Sequence, residues 1–235
     1  MKIRHSLAAA AAVIGLAATG LAVATPAAQA APMPRSAPKA CKIQGFTPST
    51  VVVGLTPKKV KFTPRTSGCK VTSWSINGDT FAVSNKDPYA VLNPKQLTGK
   101  TQDVVVQAAS GHSRQPTEVS FIDGLHLKAP TVFNTRTHAS PEPAKKGSKI
   151  TVNGQLVVAS WKQDANVGYA GQTLKVQFKT KHGSYHTVKT VKTGQYGFAQ
   201  TTVTAKKSGD WRVIFAGSST ATSSTARPDY VKVTR

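Results

Sequence analysis

The chain is 235 residues long and carries 31 Lys and Arg against nine Asp and Glu, a formal net charge of +22 at pH 7. The nine acidic residues are scattered, and none stands in a D-x-D-x-D run, which excludes a locally written calcium cage. The cationic excess is even: 14 basic and five acidic residues lie between Ala31 and Arg136, and 15 and four beyond it, which excludes a basic tail or arm.

Met1–Ala30 reads as a secretory signal. Lys2, Arg4 and His5 form the basic start, Leu7–Val23 is an Ala-rich apolar run, and Ala28-Gln29-Ala30 is a small-x-small cleavage site. Cleavage between Ala30 and Ala31 is expected. The apolar run is short and weakly apolar for a membrane span, which needs about 20 residues, so no transmembrane segment is expected. Taking Lys2 and Arg4 off the 31 leaves 29 basic residues against nine acidic ones, still a formal +20. A charge of that size favours polyanions, and the expected partner is an anionic cell-wall polymer or polysaccharide rather than a specific nucleic acid. The competing reading is that cationic faces only keep an exported domain soluble.

Residues 31–39 (A-P-M-P-R-S-A-P-K) form a Pro-rich spacer, read as disordered. Residues 40–133 follow as a first β-sandwich, with strands expected over Thr50–Val53, Lys59–Thr63, Lys70–Ile76, Asp103–Ala108 and Thr117–Phe121. Asn77-Gly78 between two apolar runs predicts a hairpin turn. Cys41 and Cys69 are the two cysteines, and in an exported chain they point to a disulfide. Closing that loop stabilises the domain by about 3.5 kcal/mol in the loop-entropy account. Residues 134–143, with Pro141 and Pro143, read as a semi-rigid linker between domains strung end to end.

Residues 144–235 read as a second, more regular sandwich. In Leu174–Lys179 apolar and polar side chains alternate, so one face of the strand is buried and the other is wet and cationic. Trp211–Phe215 repeats the pattern with Trp211, Val213 and Phe215 inward. Ile150–Val158, Tyr185–Val191, Phe198–Val203 and Tyr230–Val233 are further strand candidates, separated by turn signals that include Asn153-Gly154 and Thr193–Gly197. No helical period occurs. The fold class expected is all-β, two tandem immunoglobulin-like β-sandwiches after a cleaved signal peptide.

No G-x-S-x-G, H-E-x-x-H or phosphate-cradling glycine loop is present, so no catalytic residue, metal ligand or cofactor is assigned. The candidate polyanion-binding residues are Lys175, Lys179, Lys181, Lys189 and Lys192, expected as a stripe on two adjacent strands. Lysines on edge strands also discourage sheet-to-sheet aggregation, which is the structural alternative. Trp161 and Tyr169, in the stretch W-K-Q-D-A-N-V-G-Y-A-G, are the candidate aromatic platform for a sugar, unless they pack over the end of the sandwich. His182 and His186 flank a turn and lack a carboxylate neighbour in sequence.

The stretches A-S-P-E-P-A-K-K-G-S-K-I-T-V-N-G-Q-L, G-Y-A-G-Q-T-L-K-V-Q-F-K, V-K-T-V-K-T-G-Q-Y-G and S-G-D-W-R-V-I-F-A-G-S-S-T resemble a family of secreted, two-domain Ig-like proteins of actinobacteria. The resemblance covers Ala139–Val233 well and Ala40–Phe133 loosely. It implies an exported, Ig-like, uncharacterised protein with no catalytic residues to carry over; some such proteins are labelled calcium-binding. The reading is a non-enzymatic secreted protein, an envelope- or matrix-associated binding or structural module acting through a cationic surface. A carbohydrate-binding module and a calcium-binding Ig-like protein are the alternatives.

Overall fold

In the computed structural model the described residues are 42–111 and 118–235. The signal segment, the Ala30/Ala31 cleavage site, the spacer and Cys41 lie outside them. Period-2 burial generates the strands. In Thr173–Lys179, Leu174, Val176 and Phe178 are buried while Lys175 is exposed, and in Gly209–Phe215 Trp211, Val213 and Phe215 are buried. The fold is all-β and Ig-like, as expected.

The first sandwich has one five-stranded sheet, in the order Thr50–Val52, Glu118–Lys128, Thr101–Ser110, Val71–Gly78, Phe81–Ser84. Opposite it lie two antiparallel pairs, Lys58–Lys61 with Tyr89–Leu92 and Lys42–Thr47 with Thr63–Ser67. Phe46, Phe62, Ile76, Leu92, Leu125 and Leu127 fill the space between. Phe62 stacks on Phe81 at 4.7 Å between ring centroids. The hairpin turn falls two residues later than Asn77-Gly78: Gly78 still pairs with Phe81, and Asp79-Thr80 makes the turn. The Phe81 ring lies where a Cβ on residue 78 would stand, so the glycine is needed for that packing.

In the second sandwich the central strand is Lys149–Ser160. It pairs with Thr131–Phe133, His138–Ser140, Ala165–Gly168 and Phe198–Thr204. Facing it is a sheet ordered His186–Lys192, Thr173–Lys179, Gly209–Phe215, Ser224–Thr225, with Asp229–Val231 also on Gly209–Phe215. Asn153-Gly154 is therefore no turn: Asn153 has ladder partners in both His138 and Gln200, and this double pairing holds the backbone extended. Thr193–Gly197 does turn, and Gly197 (φ 75°) sits there where a Cβ would collide with the Leu156 carbonyl.

The stretch expected as a linker is instead built into the second sandwich. Phe133 and Ala139 belong to its core, and the Thr137 hydroxyl accepts from the Val213 N–H at 3.0 Å. Lys149–Ser160 itself runs into both cores. Ile150, Val152 and Leu156 are buried in the second, while Ala159 and the following Trp161 are buried in the first. Around this joint Ala159 N–H donates to Pro130 O, Thr222 N–H to Ala129 O and Thr131 N–H to Thr222 Oγ1, each at 3.0 Å. The described residues all belong to one compact unit.

Candidate functional site

The register of the Lys149-opposed sheet decides which lysines share a face. Lys175 pairs with Thr190 and Ile214, Thr173 with Lys192, Gln177 with Arg212, and Lys179 with Asp210. Residues opposite one another in a ladder project from the same side, so Lys175, Lys179, Lys192 and Arg212 share the outward face. Lys189 pairs with Val176, whose side chain is buried, and so belongs to the core side of its strand. The expected five-lysine stripe is thereby divided, because positions 189 and 192 lie an odd number of residues apart.

On the outward face Tyr185 is a polar-aromatic hub. The Arg212 guanidinium lies 3.6 Å from its ring centroid and the Lys179 ammonium 5.0 Å. Arg212 Nε also donates to Gln177 Oε1 at 2.9 Å, and Lys179 Nζ lies 3.5 Å from Asp210 Oδ2. The charge of Lys179 is thus partly balanced. Lys175 and Lys192 are exposed and belong to none of the ion pairs among the described residues. Lys181 is exposed in the turn beyond Lys179. Across Thr173–Lys179, His186–Lys192 and Gly209–Phe215, Asp210 is the one acid.

A second basic feature lies on the other side of the same sheet. His186–Lys192 and Phe198–Thr204 each pair with one described strand and do not pair with one another. The side of the sandwich between them is open. A cleft of about 550 Å³ results, with Phe178, Val203 and Trp211 among its apolar walls and Lys149, Lys189, Lys206 and Lys207 among its basic ones. Lys189 Nζ donates to Thr202 O at 3.2 Å and Lys149 Nζ to Thr204 Oγ1 at 3.0 Å. His186 also lines the cleft and meets the Phe178 ring edge-on at 5.9 Å. Lysines 149, 206 and 207 carried no signal in strand alternation alone; only the topology brings them together with Lys189.

Trp161 and Tyr169 do not form an open platform. Both line a groove of about 420 Å³ at the joint, but Trp161 is only 9% exposed. Its Nε1–H donates to Val53 O at 3.0 Å, and the Lys100 ammonium sits 3.4 Å above its ring centroid. The face a sugar ring would stack on is already occupied. Burial pushes the Lys100 ammonium below its ordinary pKa, since desolvation disfavours the charged form. Tyr169 packs edge-on against Phe215 at 5.8 Å, a core contact of the second sandwich. The signal for Trp161 was present in the chain: Val157, Ala159 and Trp161 continue a period-2 apolar row on the face opposite Ile150, Val152 and Leu156.

The acidic residues are held individually. Asp164 pairs with Lys95 at 2.9 Å, Asp210 with Lys179, and Asp229 accepts from the Ala139 N–H at 2.9 Å. Among the described residues no three His, Cys, Asp or Glu side chains gather as a metal-ligand group. No described cysteine is free; Lys42 pairs with Ser67, so the first described residue lies two positions from Cys69 across that ladder. No described helix is long and apolar enough to cross a membrane.

No family model and no curated protein matches the chain. Among solved structures it is similar to the fibronectin(III)-like modules of Clostridium thermocellum CbhA, at 12% identity and a TM-score of 0.38, covering 82% of this chain and 92% of that one. It is also similar to the three N-terminal domains of the bacteriophage RB49 highly immunogenic outer capsid protein, at 13% identity, TM-score 0.36, with 83% and 70% covered. A two-domain fibronectin type-III segment of chicken tenascin matches at 10% identity and a TM-score of 0.32, covering 82% and 96%.

Proposed function

We propose that this protein is a non-enzymatic, exported Ig-like module that binds anionic polymers of its producer's envelope or matrix through the cationic outward face of its second sandwich. The observation that carries the reading is the ladder register, which sets Lys175, Lys179, Lys192 and Arg212 on one face with Asp210 as its one acid. Exposed amines on a flat sheet attract phosphate, sulfate or carboxylate groups along a polymer without demanding a particular sequence of them. Cleavage after Ala30, a Cys41–Cys69 bridge and membership of the actinobacterial family belong to the same proposal.

Titration with long-chain polyphosphate at rising salt tests it. Screening shortens from a Debye length of about 14 Å at 50 mM salt to about 4 Å at 500 mM, so affinity should fall steeply over that range. Lys175→Glu with Lys192→Glu should weaken binding at low salt. Affinity that ignores both salt and the charge reversal would remove the outward face from the account. Intact mass of the secreted protein checks the export claim: a chain starting at Ala31 and lighter by two hydrogens than its reduced form is expected.

A further inference from the structure

We propose that the cleft between His186–Lys192 and Phe198–Thr204 is a binding site for a small amphipathic anion, with its phosphate, sulfonate or carboxylate head on the lysines and its apolar body against Phe178, Val203 and Trp211. The site goes beyond polymer association, because the cleft and the polymer-facing lysines lie on opposite sides of the Thr173–Lys179 sheet.

Its origin is visible in the ladder. Lys189 stands opposite Val176 on the core side of an edge strand. An apolar residue there would be drawn over Phe178 and Val203 and would close the sandwich by burial. An ammonium resists that burial, and Lys189 instead spans to Thr202 O at 3.2 Å. The two sheets remain open at this side, with walls of opposite chemical character. Phe178 and Trp211 meet at 4.7 Å between centroids and tilt at 42° to each other. The Trp211 indole N–H is buried and has no hydrogen-bond partner. A buried donor without an acceptor is uncommon in native proteins.

The charge of the cleft is also uncompensated. Its lining residues include no Asp or Glu, and Lys149, Lys189, Lys206 and Lys207 occur in none of the ion pairs among the described residues. Lys149 and Lys189 are positioned by neutral acceptors, which fix their heads without cancelling their charge. The volume of about 550 Å³ lies within the roughly 300–1,000 Å³ usual for small-ligand sites. Lysines confined to aggregation control would need no aromatic wall; a hydrophobic wall alone would need no four amines. Charge complementarity together with the apolar surface selects a ligand that is both anionic and apolar.

The probe is 1-naphthyl phosphate, titrated into the purified protein and followed by the indole proton–nitrogen resonances of its three tryptophans. The Trp211 indole should shift and saturate, while inorganic phosphate at the same concentrations should not saturate it. Decyl phosphate as competitor distinguishes an aromatic-ring site, which it leaves occupied, from an alkyl-chain site, which it empties; either result supports an amphipathic anion. Lys189→Ala with Lys207→Ala should weaken binding by about tenfold or more, the loss of roughly one charge-assisted contact. Lys175→Ala with Lys192→Ala should leave it unchanged. A Trp211 resonance that stays still, or an equal loss from both double variants, would overturn the proposal.

Discussion

Trp161→Ala tests the joint between the sandwiches. Trp161 is 9% exposed and lies within the first sandwich's core, although the strand that delivers it is the central strand of the second. Replacing a buried Trp by Ala costs about 3–5 kcal/mol through lost transfer and cavity terms. The Val53 carbonyl also loses its indole donor at 3.0 Å, worth about 1 kcal/mol. Lys100 loses the ring under its ammonium. The cavity dominates, so a loss of about 4 kcal/mol is expected. For a domain of this size that is a fall in Tm of roughly 8–16 °C. Calorimetry should also show one transition in the native protein and separated transitions in the variant, since a strand that serves both cores couples the two halves. Trp161→Phe, which keeps a ring and loses the N–H, should fall between. A Tm drop under about 3 °C for Trp161→Ala, less than roughly 1 kcal/mol, would refute its place in the first sandwich's core.

Other perturbations separate large terms from small ones. Lys95 and Asp164 bridge the joint at 2.9 Å but keep 67% and 49% of their side chains exposed, so a double-mutant cycle should return at most about 1 kcal/mol. Gly197→Ala, at φ 75° with a Cβ forced against the Leu156 carbonyl, should destabilise by about 2 kcal/mol or more in urea unfolding. Lys100 has a folded pKa below its unfolded one, so the unfolded state binds the extra proton between the two values. Its contribution therefore makes stability rise as pH increases through the window just below 10.5, and fall as pH drops. Lys100→Met should flatten that part of the stability–pH curve relative to the native protein; an unaltered slope would mean burial at this site is not felt. Cys69→Ser should cost about 3.5 kcal/mol if the proposed bridge to Cys41 closes its loop.

Strand alternation carried the reading of the second sandwich, because Leu174, Val176 and Phe178 answer to a single buried face. It failed where one strand serves two cores. Ile150, Val152 and Leu156 mark one face of Lys149–Ser160, but Val157, Ala159 and Trp161 mark the other. A strand apolar on both faces must be covered on both, and because only one face was read, Trp161 was expected as an open platform instead of a core residue. Asn153-Gly154 misled in the opposite sense, since a turn-prone pair stays extended when a ladder holds it from both sides. The expected stripe ran Lys189 and Lys192 together although their odd spacing on one strand separates them, and the cleft had no signal at all: Lys149, Lys206 and Lys207 reach it only through the packing of two sheets. The incorporation of the expected linker into the second sandwich likewise depends on Phe133 and Thr137, whose partners Leu156 and Val213 lie far along the chain.

The role proposed for the cationic outward face is to hold the protein to an anionic envelope polymer. Cosedimentation with the producer's purified sacculi, before and after removal of their anionic polymers, isolates that contact. Binding is expected at about 50 mM salt and should be lost at about 500 mM, lost with the polymers, and lost with Lys175→Glu and Lys192→Glu. Binding that persists after the polymers are stripped, or that the charge reversal leaves intact, would contradict it.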